Sequence, residues 1–220
     1  MFTFIVPVIS IIIPVMSSLN SSSSQAPTIF WFVYMTLFPA TIMAMSMGSF
    51  MTGEEGQSVW MVYMSPVSAR DFVRSKYAFT LLFTLIMLLI TATVGFVVFQ
   101  PSISAAAVLL LESVFLAFAI GTVSLSNGIK GADFNEVPRP RMMRPEWGII
   151  NFLICAAASV AILLPFVPYI IQIFIGGSAN PFIDLYLATA ISGVVAAVFT
   201  GVFYSVAVGN ASELLSKAEL

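Results

Sequence analysis

The chain has 220 residues, 60% hydrophobic and 8% charged, whereas an ordinary soluble domain carries roughly 25% charged residues. Such a composition excludes a water-soluble core, because hiding several apolar runs of about twenty residues would need a far larger body than this chain can build. The net charge of −2 comes from too few groups to argue for nucleic acid or acidic partners, and the single cysteine, Cys155, rules out an internal disulfide.

Apolar runs near twenty residues match a hydrocarbon layer about 30 Å thick at 1.5 Å rise per residue. They predict an all-α, polytopic membrane bundle with six spans at 1–16, 28–51, 77–99, 105–125, 148–164 and 185–208. Strands of a barrel would alternate, whereas these runs are apolar on all faces. The first run has no basic leading region and no small-residue cleavage pattern, so it reads as a span and not as a removable signal. Its shortness, its prolines Pro7 and Pro14 and its abrupt start suggest one half of a larger architecture.

The Ser-rich segment 17–27 is a short connecting loop that carries a glycosylation triplet at Asn20-Ser21-Ser22. Arg70, Arg74 and Lys76 follow span two, Lys130, Arg139, Arg141 and Arg144 follow span four, and Lys217 lies in the tail. Six spans place all eight basic residues on one side, while 17–27, 100–104 and 176–184 contain none. Basic residues favour the cytoplasm, so both termini are expected there, in a multi-pass protein of the plasma membrane.

Between spans two and three, 53–76 has its own order. Glu54 and Glu55 open a potential helix, where negative charge suits the helix dipole, and Trp60, Tyr63 and Met64 follow as one apolar stripe. Pro66 ends that helix by pushing Ser65 out of the helical region. Ser68 then caps a second helix, Asp71 completes a capping box, and Val67 with Phe72 occupies the staple positions. That helix runs through Arg70, Arg74 and Lys76, which suit lipid headgroups, into span three. The same residues also suit a helix resting in the interface, with Trp60 and Tyr63 as belt aromatics.

In the fourth span Glu112 is the one ionisable residue at mid-membrane depth, so it must face the bundle or a wet cavity. It reads as a gate, a proton site or a substrate contact, or as a structural hydrogen bond between helices with Asn151 as the candidate partner. The loop 126–147 reads as a stiff inner loop. Pro165 and Pro168 are expected to break or kink the fifth span and start a re-entrant segment over 165–183. In span six Gly193, Ala197 and Gly201 form a small-residue face for helix packing, within the chain or between two halves.

The order of an acidic start, Trp60, Ser65-Pro66-Val67-Ser68, then Asp71 and Lys76 before a span resembles permease subunits of ABC-2 type exporters. The loop after span four adds to this with Gly128, Gly131, Asp133-Phe134 and Glu136-x-Pro138, although Pro138-Arg139-Pro140-Arg141 departs from the family's form. The resemblance covers most of the chain in topology and is motif-specific only in these two loops; it is nearest to a C-terminal six-helix half. It implies a coupling segment formed by Glu54, Glu55, Trp60, Tyr63, Met64, Pro66, Ser68 and Asp71 that contacts a separate ATP-binding subunit. It further implies a second six-helix unit, identical or not, with ATP and Mg bound on the partner and no cofactor on this chain.

The absence of histidine removes Ser-His and HExxH chemistry and histidine-ligated metals. Glu54-Glu55 lacks the arginine of an EExxxR protease pattern, since position 59 is Val59, and Asp71, Asp133 and Asp184 are scattered. With no G-x-x-x-x-G-K-[ST] sequence, ATP hydrolysis by a P-loop is not available to this chain, and the expectation is a non-enzymatic transport subunit. The alternatives are a secondary transporter or channel using Glu112, and a membrane assembly protein that transports nothing.

Overall fold

In a medium without water, an apolar run satisfies its own backbone groups by coiling into a helix. The computed structural model, which describes residues 9, 12–16, 28–58, 67–132, 143–169 and 184–216, is helical across these runs. Helix α1 is Thr28–Phe50, followed by a 3₁₀ turn at Gly53–Ser58; α2 is Ala69–Phe99, α3 Ile103–Gly131, α4 Pro145–Leu163 and α5 Leu185–Ser216. Among the described residues five helices are long and apolar enough to cross a membrane, which makes this a multi-pass helical membrane protein. Of the span expected at 1–16, residues 12–16 are helical and Val15 packs near Phe32, Met35 and Phe99. Ile9 is helical too, and residues 1–8, 10 and 11 lie outside the described residues.

The start of α2 follows the expected cap, while the end of α3 and the break at Pro165 differ from expectation. Helix α2 begins at Ala69 because Ser68 caps it: the Ser68 Oγ accepts from the Asp71 N–H at 3.2 Å and donates to Asp71 Oδ2 at 2.6 Å. Val67 is 40% exposed, and Phe72 is buried with Leu125, Ile129, Ala207 and Ala211, so Phe72 packs into the bundle. Helix α3 continues past 125 to Gly131, through small and polar residues whose low hydropathy hides their burial. The break expected at Pro165 is a tightening: Leu164–Phe166 forms a 3₁₀ turn with Pro165 in its first turn, where a missing N–H is harmless, and the chain stays helical to Tyr169. Residues 170–183, most of the expected re-entrant segment, lie outside the described residues.

Helices α1, α3 and α5 run one way and α2 and α4 the other. Around α3, the others follow in the order α1, α2, α5, α4 and back to α1, each touching the next and all touching α3. Residues 119–129 of α3 are buried without a break, although they include Gly121, Thr122, Ser124, Ser126, Asn127 and Gly128. The described Lys and Arg residues, Arg70, Arg74, Lys76, Lys130 and Arg144, lie at this end of the bundle, where α1, α3 and α5 finish and α2 and α4 begin. It is called the basic end below.

Small residues in α3 let neighbouring backbones come close. A Cβ on Gly128 would stand 2.6 Å from the Ser49 carbonyl oxygen, and one on Gly48 would meet the Ser124 Cβ at 2.9 Å. At the last turn, Gly131 leaves room for Trp147 of α4, 2.4 Å from where its Cβ would be. In α5 the small residues buried against the bundle are Ala188, Ser192 and Ala196, then Ala207 and Ala211. Of the face expected at Gly193, Ala197 and Gly201, only Gly193 packs closely, against Phe115; Ala197 and Gly201 are exposed.

Gly128→Val forces a branched side chain against the α1 backbone and is expected to destabilise the fold by about 1–3 kcal/mol or more. Gly201→Ala, with nothing within 4 Å, should stay within about 0.5 kcal/mol of the parent. Denaturant titration in micelles, followed by helical circular dichroism, measures both.

Candidate functional site at the basic end

Helix α1 ends in carbonyls that its own turn cannot satisfy. Lys76, two turns into α2, meets that need by donating to the Met51 carbonyl at 3.1 Å. Its Nζ also forms an ion pair with Glu55 Oε1 and lies 5.7 Å from the Phe72 ring centroid. The paired side chains are 18% and 19% exposed, so Lys76 is turned into the protein and not toward headgroups, unlike the exposed Arg70 and Arg74. A cation at the negative end of α1 is also favoured by the helix dipole. The start of the 53–76 segment is thereby fastened to α2.

Of the expected coupling residues, Glu54 is exposed on the 3₁₀ turn, Glu55 is held by Lys76, and Ser68 and Asp71 form the α2 cap. The helix expected from Glu54 begins as 3₁₀ in its described part. Trp60, Tyr63, Met64 and Pro66 lie outside the described residues. In the second loop, Gly128 and Gly131 belong to α3 and serve packing against α1 and α4, and are not loop residues. An antiparallel bridge pairs Ala132 with Met143, and the Arg144 N–H donates to the Gly131 carbonyl at 2.9 Å, so the segment 133–142 starts and ends at one closed base. Lys130 lies 5.2 Å from the Trp147 ring centroid at that base.

One turn deeper, α3 carries a chain of buried polar groups. The Asn127 amide donates to Asn151 Oδ1 at 3.1 Å, the Asn151 amide donates to Ser124 Oγ at 3.0 Å, and the Ser124 hydroxyl donates to the Met45 carbonyl. Cys155 also approaches Asn151 Oδ1, at 3.5 Å. On the other side Asn210 donates to the Ser126 carbonyl at 3.1 Å, and the Tyr77 hydroxyl donates to the Phe118 carbonyl at 3.1 Å. Helix α3 is therefore hydrogen-bonded to α1, α2, α4 and α5. Bonds of this kind substitute for the hydrophobic drive that lipid removes.

Glu112 does not join this network. It lies higher in α3, is 1% exposed, and accepts from the Ser192 hydroxyl of α5 at 2.5 Å. Asn151, the expected partner, is engaged by Asn127 and Ser124 instead. The residues that sequence reading missed are Ser124, Asn127, Ser192 and Asn210; the polar run 124–127 directly after an apolar span was the available signal.

Protein-family models, characterised proteins and solved structures were each compared with the chain. None matches.

Asn151→Leu leaves the Asn127 amide and the Ser124 oxygen short of a partner and should cost about 1–3 kcal/mol. Adding Asn127→Leu should cost less than the sum of the two single changes, because the orphaned amide goes with it. A double-mutant cycle of unfolding in micelles gives the coupling energy.

Proposed function

We propose that this chain is the membrane-spanning permease component of an ATP-driven exporter of the ABC-2 type, worked by a separate ATP-binding subunit that docks on 53–76. The residue order of the two loops at the basic end, similar to that family's, supports the reading. The observation that carries it is the Lys76 fastening. With Glu55 and the Met51 carbonyl held by one ammonium group, and Ser68 capping α2, both ends of the loop segment are anchored to α2. A load taken by that segment would enter α2 at its anchored ends, and pass through Tyr77 into α3. The substrate path lies with a second six-helix unit, and both termini face the cytoplasm of a cell whose plasma membrane holds the protein.

An exporter of this type predicts stable co-purification with a P-loop ATPase whose gene neighbours this one. Trp60→Ala or Tyr63→Asp should abolish that complex while leaving helical content unchanged; capture equal to wild type would refute the docking assignment. Lys76→Met should retain the complex and lower transport-coupled ATP hydrolysis several-fold, because docking survives and transmission does not.

A secondary transporter or channel is favoured by one observation, the buried Glu112 carboxylate, whose Oε2 has no hydrogen-bond partner among the described residues. That reading predicts ion-dependent flux without ATP, lost in Glu112→Gln. Flux unaffected by any of these changes fits a membrane assembly protein instead.

A further inference from the structure

Glu112 is the tenth residue of α3, so at 1.5 Å per residue it sits about 14 Å below the start of that helix, well inside a bilayer. One oxygen accepts from Ser192, and Oε2 has no partner among the described residues. The layer beyond it toward the start of α3 is Val108, Phe166 and Ala188, with Tyr169 and Leu185 packed against them. The layer toward the basic end contains Leu116, Ile162, Ala196 and Cys155. From α5 the polar side chains at this level are Ser192 and, one turn away, Thr189, whose hydroxyl is engaged by the Leu185 carbonyl. Among the described residues no ion pair reaches Glu112: the one salt bridge is Lys76 with Glu55, at the basic end. The described Lys and Arg all lie at the basic end.

An ionised carboxylate at 1% exposure with no counter-charge costs several kcal/mol, and one hydroxyl donor does not offset that. A group that enters must therefore bring positive charge or hydrogen-bond donation to Oε2. We infer that Glu112 and Ser192 form a binding site for a single positive charge, delivered as a proton or as a small inorganic cation, which holds α3 against α5 while it is bound. The oxygens present, two from the carboxylate and one from the hydroxyl, are hard donors of the kind that small cations take. When the charge leaves, the ionised carboxylate needs water, and the α3–α5 contact must open to admit it. The site stands apart from the ATPase-docking surface and does not depend on it.

The test uses wild-type protein in lipid nanodiscs and dicyclohexylcarbodiimide, an apolar reagent that adds to protonated carboxyl groups, with peptide mass spectrometry reading modification at Glu112. If the charge is a proton, modification falls about tenfold per pH unit once the proton is lost and ignores added sodium, potassium or lithium. If it is a small cation, that ion suppresses modification several-fold at fixed pH. Modification that responds to neither, or none under any condition, overturns the proposal. Glu112→Gln keeps an acceptor for Ser192 without the charge, so its thermal unfolding should lose the wild-type response to pH or to the ion; a response equal to wild type also overturns it.

Discussion

The close crossing of α1 and α3 at Gly48, Ser124 and Gly128 is the constraint from which the remaining geometry follows. At Gly128 the two backbones meet directly, at Gly48 the Ser124 side chain fills the approach, and the Ser124 hydroxyl reaches the Met45 carbonyl. Once α3 lies that deep, its last three turns are enclosed on every side, and each polar group on them must find a partner within the protein. The partners are supplied by one helix each: Met45 from α1, Tyr77 from α2, Asn151 from α4 and Asn210 from α5. Other hydroxyls in the bundle, such as Thr36, Thr84, Thr91 and Thr189, return to carbonyls of their own helices. Though buried themselves, they ask nothing of neighbouring helices.

That division explains what could be read from the sequence. The membrane class, the helical fold and five of the spans follow from length and hydropathy, because both respond to the bilayer and not to tertiary partners. The start of α2 was legible as well, since Ser68 and Asp71 carry their cap within four residues of chain. The inner half of α3 was not. Its residues 126–131 look like loop by hydropathy, and only the neighbours show that Gly128 lies under Ser49 and Gly131 under Trp147. The face of α5 that packs within the chain was hidden for a related reason: Ala188, Ser192 and Ala196 repeat with the same four-residue spacing as Gly193, Ala197 and Gly201, and periodicity cannot tell which of two adjacent faces meets the bundle. Lys76 was read as a headgroup ligand because Glu55, 21 residues earlier, has no local relation to it.

The proposed role ties these features together. The basic end is where the enclosed half of α3, the Lys76 fastening and the closed base at Ala132 and Met143 meet. Farther along α3 the hydrogen-bonded tie to α5 that remains is Glu112 with Ser192, in a layer that is otherwise apolar. In the proposed role, force from the ATP-binding subunit would enter at the basic end and α3 would carry it toward the Glu112 layer.

The central claim is that the beginning of the 53–76 segment and the first turns of α2 move as one body through Lys76. Double electron–electron resonance between spin labels at Glu54→Cys and Arg74→Cys, both exposed positions, in a Cys155→Ala background measures that directly. The account predicts one narrow distance distribution in the protein with Lys76 intact, broadening when Lys76→Met is added. A broad distribution with Lys76 in place, or one that Lys76→Met leaves unchanged, would contradict it.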